Sequence, residues 1–181
     1  MSWMDQIGGL LQRYSGAGAQ DAQEDAHDHF DQLAQAAPHS AIADGLAAAF
    51  RSDDTPPFPQ MIGQMFGQSN PQQRAGILNT LISAAGPTVL SQILSRGGGA
   101  SALGGLAGLL GGGAHSVPPE VAQQVSPEAV QEIAQQAEQR DPSVVDMASN
   151  FYAQHPQLVK TLGAAALTVA LAKIASAQQG R

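Results

Sequence analysis

Gly97-Gly98-Gly99-Ala100-Ser101-Ala102-Leu103-Gly104-Gly105-Leu106-Ala107-Gly108-Leu109-Leu110-Gly111-Gly112-Gly113 holds nine of the chain's 20 glycines. No Asp, Glu, Lys or Arg stands between Arg96 and Glu120. Helical patterns flank the run on both sides, so how it is read sets the domain plan. Glycine-rich stretches are flexible connections, which makes the run a linker between two helical parts. Its leucines complicate that reading, because a spacer needs none. Ala102, Leu103, Leu106, Leu109 and Leu110 could line one face of a short helix whose glycine face lets a neighbour approach closely. Both readings stay open on sequence alone.

Working outward, the charges are unevenly placed. Residues 1–58 hold nine acids and two bases, 59–119 hold only Arg74 and Arg96, and 120–181 hold six acids and four bases. The net charge of −7 opposes a polyanionic partner, so nucleic acid is not expected. There is no cysteine, which removes disulfides, thiolate metal sites and cysteine nucleophiles. The apolar 43% includes only 4% aromatic residues, so thin helix-on-helix packing is expected.

N-terminal to the run, residues 2–14 read as an amphipathic helix. Ser2 would cap it, and Trp3, Ile7, Leu10, Leu11 and Tyr14 would share a face, with Gly8 and Gly9 weakening it. Ser15-Gly16-Ala17-Gly18-Ala19 reads as a flexible link. Residues 21–36 form a second helix with Ala22, Ala26, Phe30, Leu33 and Ala37 on one side, stopped by Pro38. Ser40 would cap a third, with Ile42, Leu46, Ala49 and Phe50 on one side. Residues 71–96 are the core candidate, through Ile77, Leu78, Leu81, Ile82, Val89, Leu90, Ile93 and Leu94, broken at Gly86-Pro87.

A proline signature recurs. Pro59, Pro87, Pro119, Pro127, Pro142 and Pro156 are each followed by apolar residues two, three and six positions on. Proline suits the first helical position, where its missing N–H has no intrahelical partner. The 2, 3, 6 spacing is one helical face. Helix starts look alike, so the signature need not mean a repeat, although 127, 142 and 156 are nearly evenly spaced. Asn70, Ser126 and Asp141 are good caps. Residues 156–178 read as one last helix, apolar on most faces from Leu162 to Ala172. No alternating β-branched or aromatic run appears. The fold class is all-α, several short helices in two parts. The expected division is 1–20, 21–96, a connector at 97–117, and 118–181.

Catalytic and metal motifs are not found. His27 and His29 lie among Asp25, Asp28 and Asp31, but residues two apart on a helix point to opposite sides. A solvated acidic face is expected there, and no cofactor. The glycine run matches neither phosphate-binding pattern, since no strand precedes it and no lysine follows.

The opening Met1-Ser2-Trp3-Met4-Asp5-Gln6-Ile7-Gly8-Gly9-Leu10-Leu11 is similar to the start of the YidB-like family of bacterial proteins. The glycine- and leucine-rich middle is similar too, as are Val125-Ser126-Pro127-Glu128-Ala129-Val130-Gln131-Glu132-Ile133-Ala134, Val144, Val145 and His155-Pro156. Residues 20–96 and the C-terminal helix depart from that pattern. The resemblance implies a compact all-α fold with no established activity, and it carries over no functional residue.

The sequence therefore predicts a non-enzymatic, self-associating helical protein, whose partner is a second copy or another helical protein. Its interaction residues would be Trp3, Ile7, Leu103, Leu106, Leu109, Leu110, Leu162, Leu167 and Leu171. The alternative is a protein lying on a membrane surface through residues 2–14, 97–110 and 157–177, although basic residues on the polar face are missing. The N-terminus has no basic n-region and no apolar run reaches about 20 residues, so a cytoplasmic location is expected.

Overall fold

Proline and glycine punctuate the helices of this chain, as the computed structural model shows for the residues it describes, 3–14, 24–95, 106, 108 and 116–179. The helices are α1 (Trp3–Tyr14), α2 (Ala26–Ala36), α3 (His39–Phe50), α4 (Phe58–Gly67), α5 (Pro71–Ser95), α6 (Pro119–Ala122), α7 (Pro127–Arg140), α8 (Val144–Ala153), α9 (Pro156–Val159), and α10 (Ala164–Gln179) after a 3₁₀ turn at Lys160–Leu162. No strand occurs among the described residues. The fold is all-α.

Proline opens α5, α6, α7 and α9. The apolar positions two, three and six after each signature proline are buried, apart from the partly exposed Val121 and Leu162. The caps follow the sequence closely. Asn70 and Gln73 form a reciprocal box at α5: the Gln73 N–H donates to Asn70 Oδ1 at 2.9 Å and the Asn70 N–H to Gln73 Oε1 at 3.0 Å. The Ala129 N–H donates to Ser126 Oγ at 3.2 Å to start α7. Asp141 Oδ1 accepts from the Ser143 N–H and hydroxyl, which holds its carboxyl below the usual carboxylate range. Ser40 caps nothing: α3 starts one residue earlier, at His39, with the extended Pro38 before it. The break at Gly86 is present, with φ of 77°, a conformation costly for a side-chain-bearing residue.

The last helix departs from expectation. Gly163, at φ of 87°, ends one segment and begins another, so Pro156–Leu162 and Ala164–Ala177 meet at 119° instead of continuing. Leu162 and Leu167 therefore belong to different segments.

The chain divides into two units: unit 1 is Met1–Pro57 with Ser149–Arg181, and unit 2 is Phe58–Ala148. The expected division at 97–117 does not coincide with this one. Both flanks of the glycine run belong to unit 2, and the chain passes between units at Pro57-Phe58 and within α8. Glycine density reports permissive backbone, not the absence of contacts across a boundary, and it is the second that separates domains.

In unit 1, α10 packs on α3, α1 and α2. Phe30, Leu33, Ile42, Leu46, Leu167, Leu171 and Ile174 are at most 1% exposed. Gly45 sits where α10 crosses α3. A Cβ there would run into Ile174 Cγ1 and stand 3.2 Å from the Ala170 carbonyl oxygen. In unit 2, α4 and α5 pack on α7, and α5 also packs on α6. Gly63 plays the corresponding part, its Cβ position falling against the Gln131 side chain. Arg74 closes the end of α4, donating to the carbonyls of Phe66, Ser69 and Gly67 at 3.0–3.1 Å, with its guanidinium 5.1 Å from the Phe66 ring centroid.

Candidate interaction surface

Of the nine apolar residues expected to meet a partner, five have described side chains, and four of those are used inside the chain. Ile7 is 3% exposed, Leu106 2%, and Leu167 and Leu171 are inaccessible. Leu162 is half-buried in the 3₁₀ turn. Trp3 lies on α1, with its side chain outside the described residues, as are Leu103, Leu109 and Leu110. Ile7, Leu106, Leu167 and Leu171 are thus buried within the chain. A helix apolar on most faces needs cover on several sides, and α1, α2 and α3 supply it to α10. Within 157–177, the stretch of the lipid-facing alternative, Leu158, Val159, Leu167, Leu171 and Ile174 are buried in unit 1. Among the described residues no single helix is long and apolar enough to cross a membrane. Met147 is their one exposed large apolar side chain.

The glycine run is better defined at its exit. Asn79, on α5, grips the backbone of Val117: the Val117 N–H donates to Asn79 Oδ1 at 2.7 Å, and Asn79 Nδ2 donates to the Val117 carbonyl at 3.3 Å. One amide side chain satisfies both backbone polar groups of the buried Val117, which would otherwise carry a desolvation cost. The chain thus leaves α5 after Ser95 and returns to α5 at Asn79. Within the run, Leu106 and Gly108 are helical, and Leu106 is buried. At that point the run is packed.

On α2, the expected solvated face is instead a set of ties. A hydrogen bond of 2.7 Å joins the Tyr14 hydroxyl to His29 Nδ1, with the rings edge-on and their centroids 5.6 Å apart. His27 Nε2 lies 3.2 Å from the Lys160 carbonyl. A carbonyl only accepts, so Nε2 carries the proton. Lys160 Nζ pairs with Asp31 Oδ2 at 2.6 Å. The opposite directions of His27 and His29 follow from their spacing of two. Their partners, 133 and 15 residues away, could not be read from the local pattern. Asp25 and Asp28 remain exposed.

Two tyrosines stand out electrostatically. Burial pushes the Tyr14 phenol above its ordinary value, Asp25 adds to the rise and Arg13 opposes it. Burial alone pushes Tyr152 far up, and its hydroxyl is buried without a hydrogen-bond partner. Phe151 meets that ring edge-on at 5.2 Å. No group of three or more His, Asp or Glu side chains among the described residues could hold a metal ion.

No family model matches the chain, and neither a curated protein nor a solved structure matches it.

Proposed function

We propose that this chain is a non-enzymatic helical interaction protein that associates with copies of itself, and that Gly97–Gly113 contributes the contact. The supporting observation is the return of that segment to its own unit at Asn79 and Val117. A 20-residue excursion (96–115) that starts and ends in unit 2 is not needed to join units. Connections beyond about 12–15 residues are usually functional or disordered. Apart from Arg96 it has no Asp, Glu, Lys or Arg, and it holds four leucines. The described surface offers no competing apolar patch, with Met147 alone exposed. We place the chain beside the YidB-like proteins on the residues quoted above, a kinship that assigns no substrate.

The test uses leucines other than the buried Leu106, whose loss would damage unit 2 directly. Wild type and Leu109→Asp/Leu110→Asp chains are compared by size exclusion with light scattering. The proposal expects wild type to run above one chain mass and the variant to fall towards it, with helix content unchanged by circular dichroism. Equal masses for the two proteins would remove the segment from the contact.

A further inference from the structure

α1 is a poor helix on a well-made seat. Gly8 and Gly9 are exposed, and a Cβ on either would meet nothing within 4 Å. Neither has the positive φ that would call for glycine. Each nonetheless lowers the helix–coil equilibrium about five-fold relative to alanine. Twelve residues is also too short for a stable isolated helix. α1 is therefore helical because of its seat: Ile7 and Tyr14 are buried, α1 packs on α2 and α10, and the Tyr14 hydroxyl is bonded to His29. Once off the seat, the strand of chain has little reason to stay helical, so release and re-seating are coupled to unfolding and refolding of α1 alone.

We infer that α1 is an exchangeable strap, seating either on its own α2–α10 surface or on that of a second copy, so that two chains trade α1 reciprocally and form a closed dimer. The inference rests on the self-association reading and gives it a second contact. Every copy carries the same seat and the same strap, so the exchanged contacts are identical to the intrachain ones, and concentration decides between the two. Nine residues, 15–23, separate α1 from Glu24, a reach of up to about 30 Å. α1 has one acid and one base, Asp5 and Arg13, so like-charge repulsion between two straps is small.

The chain has no cysteine, so an introduced thiol is unique. Full-length copies with Tyr14→Cys are mixed with full-length copies with His29→Cys and treated with a short bis-maleimide. Exchange predicts a covalent 14–29 heterodimer whose yield rises with total concentration. Oligomers by light scattering without this cross-link would overturn the strap and leave self-association standing through another surface. A single-chain mass at every concentration would overturn both. Because Tyr14→Cys removes a buried ring, a second measurement uses the intact surface. Isotope-labelled and unlabelled chains are mixed and the mixed-mass species followed by native mass spectrometry. Gly8→Ala/Gly9→Ala is expected to slow mixing roughly 25-fold, five-fold for each glycine. An unchanged rate would show that α1 does not leave its seat during exchange.

Discussion

Unit 1 and unit 2 each contain a helix whose glycine is crossed by a second helix, and they differ in what stands opposite. In unit 1, Gly45 faces Ile174, a β-branched side chain only 1% exposed, with the Ala170 carbonyl behind it. In unit 2, Gly63 faces Gln131, a partly exposed and unbranched side chain. Close approach is thus enforced by backbone and a stiff rotamer in one unit, and by a side chain that can swing away in the other. The peripheral ties differ in the same sense. Unit 1 relies on Tyr14–His29, His27–Lys160 and Lys160–Asp31, while unit 2 clamps a backbone peptide with Asn79. Unit 1 is tightly packed at α3–α10 but held at its edges by titratable groups.

The comparison is broken most severely by alkaline pH. Both tyrosines of the chain, Tyr14 and Tyr152, belong to unit 1, and both are raised above 10.0 by burial. The unfolded chain releases these protons near pH 10 while the folded unit keeps them. Stability is full below pH 10 and falls as pH rises, by up to about 1.4 kcal/mol per pH unit for each tyrosine. Denaturant unfolding between pH 9 and 11, followed by limited proteolysis with cleavage mapped within 26–50 and 149–179 for unit 1 and within 58–148 for unit 2, should show unit 1 failing first. Parallel loss in both units would contradict the assignment.

The glycine pair sharpens it. Gly45→Ala should cost about 2–3 kcal/mol, as overpacking against a stiff core does. Gly63→Ala should cost about 1 kcal/mol or less, because alanine's better helix propensity offsets the displacement of Gln131. Equal costs in urea titrations would erase the distinction. Asn79→Ala should cost about 1–2 kcal/mol by leaving both polar groups of Val117 unmet. It should also raise hydrogen exchange at 116–118, and unaltered protection there would show that the amide clamp does not hold the exit. The smallest effect belongs to Lys160→Met. Both partners of that ion pair are about a third or more exposed, at 33% and 42%, so the loss should be under about 1 kcal/mol and vanish in high salt. A salt-independent loss would mean that Lys160 acts through packing.

Much of the local structure was legible in the sequence. The proline signature marked helix starts because proline at a first turn gives up no bond, and its 2, 3, 6 positions supply much of the core of unit 2, but only Leu158 and Val159 in unit 1. Asn70 and Ser126 announced their caps, and Gly86 its break. Gly163 was missed because Leu162-Gly163-Ala164 sits within a continuously apolar run, and hydropathy is blind to a 119° bend. The two units do not show in the sequence because unit 1 is assembled from the two ends of the chain, and the second crossing lies inside an ordinary helix, α8. An isolated mid-helix glycine at 45 was the available sign of a tight crossing. The ties of α2 to Lys160 depend on a tertiary approach that local periodicity does not encode. The burial of Leu167 and Leu171 has a similar origin: an apolar face reports that something covers it, not whether the cover belongs to the same chain.

Light scattering of the full chain across a broad concentration range tests the central claim most directly, with Leu109→Asp/Leu110→Asp alongside. The account predicts a mass that rises above 18.6 kDa with concentration for wild type and stays lower for the variant. A mass of 18.6 kDa at every concentration would contradict self-association.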